Sequence, residues 1–133
     1  MNPARKLSAF ILLAAGLLGW QGASAQSYPA KPIQWISPWT AGGGNDILSR
    51  ALAEQLASRL GQPVVVENRP GATGTIGTSQ VARATPDGYT LTLASAATHA
   101  TAPAIYSKLT YDPVKDFTPI TLVATVANVL VIH

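Results

Sequence analysis

Apolar and polar positions along the chain follow two alternating periods. Residues 32–37, PIQWIS, are a short β-branched and aromatic run closed by Pro38, the pattern of a strand. Over residues 45–60 the period changes. Leu48, Leu52, Leu56 and Leu60, flanked by Ile47 and Ala51, make an apolar stripe at helical spacing, and Gly61 and Pro63 end it. VVVEN (residues 64–68) predicts a buried strand, after which RPGATGTIG turns the chain. SQVARA (residues 79–84) predicts the end of a second helix, stopped by Pro86, Asp87 and Gly88. YTLTLAS (residues 89–95) alternates as a strand should. AATHATAPAIY predicts a loop or short helix, YDPVKDF a turn opened by Asp112-Pro113 with Lys115 exposed, and ITLVATVANVLVIH one or two further strands.

Strand, helix, strand, helix, strand with short connections predicts an α/β fold with a parallel sheet. Right-handed crossovers then place every strand-to-helix loop along one edge, where ligands of open α/β sheets bind. Three segments should gather there: residues 38–46, 69–77 and 95–101. They are also the Gly-, Ser- and Thr-rich parts of the chain.

The first 25 residues stand outside this pattern. Arg5 and Lys6 precede an apolar segment from Leu7 to about Trp20, and Ala23-Ser24-Ala25 has the small-residue form of a cleavage site. Residues 1–25 are therefore expected to be a secretory signal peptide. The apolar segment is shorter than the ~20 residues of a membrane span. Without a cysteine the chain cannot be a lipoprotein, form a disulfide or build a thiolate metal site. Removing the signal leaves seven Lys and Arg against six Asp and Glu, with no basic cluster for nucleic acid. No cofactor or metal is expected.

SPWTAGGGND (residues 37–46) is the first candidate site. The dinucleotide fingerprint would need glycine at position 47, which is Ile47, and no Lys-Ser/Thr follows to make a phosphate loop. The helix start still offers unpaired N–H groups and partial positive charge to an anion. The structural alternative is a tight turn capped by Asn45 or Asp46. In the second loop Arg69 could clamp a carboxylate or simply pair with Glu67. In the third, Ser95, Thr98 and His99 stand together, but no G-x-S-x-G frames Ser95 as a nucleophile. His99 has no cluster of metal ligands around it. The final run, NVLVIH, closes on no turn or polar tail, so the chain is expected to be the front part of a longer protein.

Taken together, Y-P-x-K-P-I, P-x-x-A-G-G-G-x-D, G-Q-P-V-V-V-E-N-R-P-G-A, P-D-G-Y-T-L and Y-D-P-V-K-D-F make residues 28–133 resemble the Bug-type receptors of tripartite tricarboxylate transporters. The resemblance implies a type II periplasmic-binding-protein fold, two lobes closing on a ligand, with no catalytic residues. Only the first lobe, residues 26–125, and the start of the crossover into a second, residues 126–133, would be present. The crossing should lie between about Thr121 and Asn128. It implies a periplasmic protein that captures a small organic carboxylate: a di- or tricarboxylate, an acidic amino acid or an aromatic acid. Docking on an inner-membrane permease would follow.

By position, the ligand loops of such receptors match Thr40, Ala41, Gly42, Gly43, Gly44 and Asp46, and Ser95, Thr98 and His99, with Arg69 and Thr73 nearby. Backbone N–H groups of residues 41–44 and the hydroxyls of Ser95 and Thr98 would hold the carboxylate, and Asp46 would position a bridging water. The sequence departs from the common pattern at Trp39, Thr40, Ala102 and in GATGT, where Thr73 and Thr75 add hydroxyls. Two competing readings are a secreted serine hydrolase using Ser95 and His99, and a binding or sensing module without a permease.

Overall fold

The computed structural model describes residues 27–127 and residue 132. The expected signal peptide and His133 lie outside the described residues. Three parallel strands form one sheet, β1 (Ile33–Ser37), β2 (Val64–Asn68) and β3 (Thr90–Thr92), in the order β2-β1-β3. Ile33 pairs with Val64 on one side of β1 and Gln34 with Thr90 on the other. β1 is central, so its neighbours cover both edges, and Ile33, Trp35, Ile36 and Ser37 are buried. Right-handed crossovers to strands on opposite sides of β1 put the two connecting helices on opposite faces.

Helix α1 (Gly44–Leu60) connects β1 to β2 and ends where Gly61, at φ 69°, donates its N–H to Ala57 O at 3.0 Å. Its deepest positions are Asp46, Ser49 and Ala53, while the leucine stripe is half-buried. The small side chains let the helix approach the sheet, and the leucines close its flanks. Helix α2 (Thr75–Ala82) connects β2 to β3 and buries Gly77, Thr78 and Ser79. It ends before Ala84, earlier than the sequence pattern suggests. A Cβ on Gly77 would lie 2.7 Å from Arg69 O and 2.9 Å from Pro38 Cα, so only glycine allows this helix so close to the strand ends.

Two expectations about strands need correction. The strand expected over residues 89–95 is only Thr90–Thr92. Ile36 O accepts the Thr92 hydroxyl at 2.8 Å, and Pro38, next in line to donate toward β3, has no N–H. The ladder therefore stops. Residues 120–127, expected as strand, have no regular secondary structure, and Ile120, Leu122 and Val126 are 80%, 79% and 86% exposed. An apolar run becomes a strand only beside a hydrogen-bonding neighbour, and none among the described residues lies beside this one. Residues 128–131, the rest of that run, lie outside the described residues.

A π-helical turn (Ala97–Thr101) leads into the short helix α3 (Ala102–Ile105). Beyond it, the expected turn at residues 111–117 is present. Asp112 Oδ1 accepts the N–H groups of Val114 and Lys115 at 2.9 and 3.0 Å, and Asp116 Oδ2 accepts that of Asp112 at 2.7 Å. Among the described residues, no helix is long and apolar enough to cross a membrane.

Candidate functional site

Because all three strands run in parallel, their C-terminal ends lie at one edge, and the three expected segments do meet there. Gly74, in the β2 loop, is the point of closest approach. A Cβ on it would lie 2.8 Å from Thr98 Cγ2 of the β3 loop and 3.4 Å from Pro38 and Trp39 of the β1 loop. Its φ of 84° would in any case strain a side chain. In the order β2-β1-β3 the two crossovers run in opposite directions across the sheet, which makes this edge a topological switch point.

In the β1 loop Thr40, Ala41, Gly42 and Gly44 are exposed and Gly43 half-buried. Gly42 takes φ 82°, and Gly43, in extended conformation, sits at the N-cap without a capping side chain. The first helical bond runs from Ile47 N–H to Gly43 O at 3.0 Å. The N–H groups of Gly44, Asn45 and Asp46 thus lack acceptors within the helix. Of these, Gly44 belongs to the expected set, the N–H groups of residues 41–44, and Asn45 and Asp46 lie just beyond it. Gly42 N–H is already given to Asp46 Oδ2 at 2.9 Å, and Gly43 N–H to Thr40 O at 3.4 Å.

Asp46, 3% exposed, is the hub of this loop. Besides Gly42 N–H, its Oδ2 accepts Arg50 Nε at 3.0 Å, and its Oδ1 accepts Asn68 Nδ2 at 2.7 Å. Asn68 Nδ2 also donates to Trp39 O at 2.9 Å, and Arg50 Nη2 donates to Asn68 Oδ1 at 2.8 Å. The Arg50 guanidinium, then the Gly42 and Asn68 donors, hold the Asp46 carboxyl down at about 2. The carboxylate stays ionised and is engaged by the protein at both oxygens.

Arg69 turns to its strand neighbour Glu67, whose other oxygen accepts Gln34 Nε2 at 2.8 Å. Of its two expected roles, the structure therefore shows the ion pair. Beyond it, Gly71, Ala72, Thr73 and Gly74 all have positive φ, and Ala72 and Thr73 are the non-glycine cases at 46° and 56°. The Thr73 hydroxyl lies 3.3 Å from that of Tyr106, linking the β2 loop to the end of α3.

The β3 loop is held by neutral groups. Ser95 N–H donates to Thr98 Oγ1 at 3.2 Å and Thr98 N–H to Ser95 Oγ at 3.4 Å. Thr98 is fully buried, and its Oγ1 is 2.9 Å from His99 Nδ1. It braces the turn instead of presenting its hydroxyl to a ligand, as the sequence reading expected. The Tyr111 hydroxyl donates to Thr98 O at 2.5 Å. The His99 ring packs edge-on against Phe117 at 4.8 Å and lies 6.2 Å from Tyr111, and burial lowers its pKa. Of this group Thr98 and Tyr111 are buried, while Ser95, His99 and Phe117 are half-buried. Among the described residues, no three His, Asp or Glu side chains are grouped to hold a metal ion.

The sequence reading missed Asn68, Arg50, Tyr111 and Phe117. Only the i, i+4 spacing of Asp46 and Arg50 was visible in the chain itself.

Comparison with known proteins identifies the family. Residues 48–133 match the tripartite tricarboxylate transporter family receptor. The chain belongs to this family. Over 109 residues it is 46% identical to protein BugT of Bordetella pertussis, covering 81% of this chain and 33% of that protein. Its fold superposes on the periplasmic binding protein BugD with a TM-score of 0.66 at 49% identity, covering 70% of this chain and 31% of that one. The same score, at 41% identity, relates it to MatC of Rhodopseudomonas palustris, solved with bound malate, over 69% of this chain and 31% of that one. The chain thus spans about a third of the length of these relatives. The expected fold class stands: a type II periplasmic-binding-protein architecture, of which this chain supplies a small α/β part.

Proposed function

We propose that the protein is a periplasmic receptor that captures a small organic carboxylate for a membrane permease of the tripartite tricarboxylate type. The observation that carries this reading is the uncapped start of a 17-residue helix, opened by three glycines at the switch-point edge of a parallel sheet. The N–H groups of Gly44, Asn45 and Asp46 are the donors for one carboxylate, and the half-buried Ser95 on the neighbouring loop adds a hydroxyl. A partly buried anion at such a helix end gains up to ~2 kcal/mol. MatC, a relative of the same fold, was solved holding malate. Asp46 serves indirectly, by fixing the loop whose N–H groups meet the ligand. Residues 26–125 form the first lobe and residues 126–133 begin the second, which closes over the ligand. Residues 1–25 direct export and are removed.

The geometry favours capture over hydrolysis. A serine nucleophile needs a histidine base in hydrogen-bond reach and a third group that orients the base. Here Thr98 stands between Ser95 and His99, and among the described residues no carboxylate bonds the imidazole.

The test is a thermal-shift panel of mono-, di- and tricarboxylates against the mature gene product. At ~100 times its dissociation constant a ligand adds ~2.7 kcal/mol, enough to raise Tm visibly. A shift with one class of acid is expected, and no shift with any acid would remove the reading. An ester-hydrolysis assay should show no turnover, and turnover lost in Ser95→Ala would replace capture by catalysis. Co-purification with a permease, or its absence, separates transport from the module without a permease.

A further inference from the structure

We infer that Asn68 is the positioning residue of the triple-glycine loop, acting through a closed ring with Asp46 and Arg50. It deepens the carboxylate reading above and rests on it for the ligand. Asn68 is the last residue of β2, so the central sheet fixes its backbone, through the register that pairs it with Ser37. Its amide faces the loop in two directions at once. Nδ2 reaches Trp39 O at 2.9 Å at the loop's entry and Asp46 Oδ1 at 2.7 Å at its exit. Arg50 closes the ring, spanning Asp46 Oδ2 at 3.0 Å and Asn68 Oδ1 at 2.8 Å.

This ring supplies what the glycines lack. Three glycines in a row leave the backbone many conformations, and such freedom would blur the N–H groups that meet a ligand. Asp46 takes Gly42 N–H inward, so Gly42 is fixed from the far side of the loop. An amide is the side chain that can do this, because it donates twice from one nitrogen while accepting from a guanidinium. The nearby charges stay out of the ring: Glu67 and Arg69 pair with each other, and Glu67 also holds Gln34.

The experiment uses the complete gene product with malate as the probe, comparing wild type with Asn68→Leu and Asn68→Asp. Two readouts are independent of ligand: the Asp46 carboxyl titration by 13C NMR, and amide exchange at residues 42–46. In Asn68→Leu the Asp46 midpoint should rise, exchange at residues 42–46 should quicken about tenfold while the strands hold, and malate should bind about tenfold more weakly. Asn68→Asp keeps the acceptor for Arg50 but sets a carboxylate against Trp39 O and Asp46. Its loop should be loose at neutral pH and tighten on acidification, as the new carboxyl gains a proton to donate. Wild type should show no such recovery, which a merely structural loss would not produce either. Unaltered loop exchange and Asp46 titration in both variants, with malate bound as in wild type, would overturn the inference and leave the carboxylate reading standing. Loosened loops in variants of a protein that binds no malate would support the positioning role while removing malate as ligand.

Discussion

The loops after β1 and β3 lie at the same edge of the sheet but are held by opposite chemistry. The β1 loop is tied by an ionised carboxylate, a guanidinium and an amide, with Asp46 at the centre. The β3 loop is tied by hydroxyls, a carbonyl and an aromatic cluster, with fully buried Thr98 at the centre. Glycine explains the difference. Past Pro38 and Trp39, the run of three glycines has no side chains to pack, so its order must come from strong, directional bonds made by neighbours. The β3 loop carries Ser95, Thr98 and His99 and can pack upon itself. The lesson is that two loops at one sheet edge need not share a mode of failure.

The largest effect should come where helix α2 presses the β1 loop against the β2 loop. Gly77→Val would drive a side chain into Arg69 O and Pro38 Cα, forcing the β1 and β2 loops apart. A loss of about 3 kcal/mol is expected in urea unfolding, at the upper end of overpacking costs. A loss below ~0.5 kcal/mol would mean that the close approach does not exist. Next, Thr98→Val keeps the shape of the β3 loop and removes its hydroxyl, leaving buried groups unpaired at a cost of about 1–3 kcal/mol. Amide exchange should quicken in residues 95–101 and stay unchanged in residues 42–46. Loosening of both would show that the loops fail together. Tyr111→Phe, which removes the bond to Thr98 O, should cost about 1 kcal/mol.

Acid separates the loops further. His99 has a pKa lowered by burial, so its contribution is present above the ordinary histidine value of 6.5 and is lost as pH falls below it. Asp46 is lowered to about 2 from 3.8, so its contribution persists to about pH 4 and is lost between there and 2. On acidification the β3 loop should therefore loosen first and the β1 loop last, as followed by residue-resolved NMR. Asp87 and Asp112 are also lowered, chiefly by backbone N–H donors, so a global probe would not single out Asp46. The smallest effect belongs to Arg69→Ala. Its pair with Glu67 is half-exposed, and stability should change by less than ~1 kcal/mol. A larger loss would mean that Arg69 braces the β2 loop.

Much of this was legible in the chain. β1, β2 and α1 follow from apolar period and from Pro38, Gly61 and Pro63, within one residue at each end. The convergence of three Gly-, Ser- and Thr-rich loops follows from parallel strands and right-handed connections. The inner face of α1 was not legible, because burial went to Asp46, Ser49 and Ala53 and not to the leucines. Hydrophobicity ranks side chains by transfer energy, whereas close helix–sheet approach selects them by size and by the partner that waits opposite. Asn68 stood unnoticed in VVVEN for a related reason: its partners are 18, 22 and 29 residues away in sequence.

By itself the sequence determined the family, the order of the three strands and the two helices between them, and the edge of the sheet at which their loops meet. These depend on local period, turn chemistry and chirality, which short stretches of chain carry. Only the tertiary structure decided which groups at that edge are spent on the fold and which remain. Thr98 is consumed bracing its turn, Arg69 is paired with Glu67, and Asp46 is held by three donors from three parts of the chain. The N–H groups of Gly44, Asn45 and Asp46 lack acceptors within the helix because a helix cannot satisfy its own first turn. Hydrogen bonds are settled between neighbours in space, and a sequence states neighbours only along the chain.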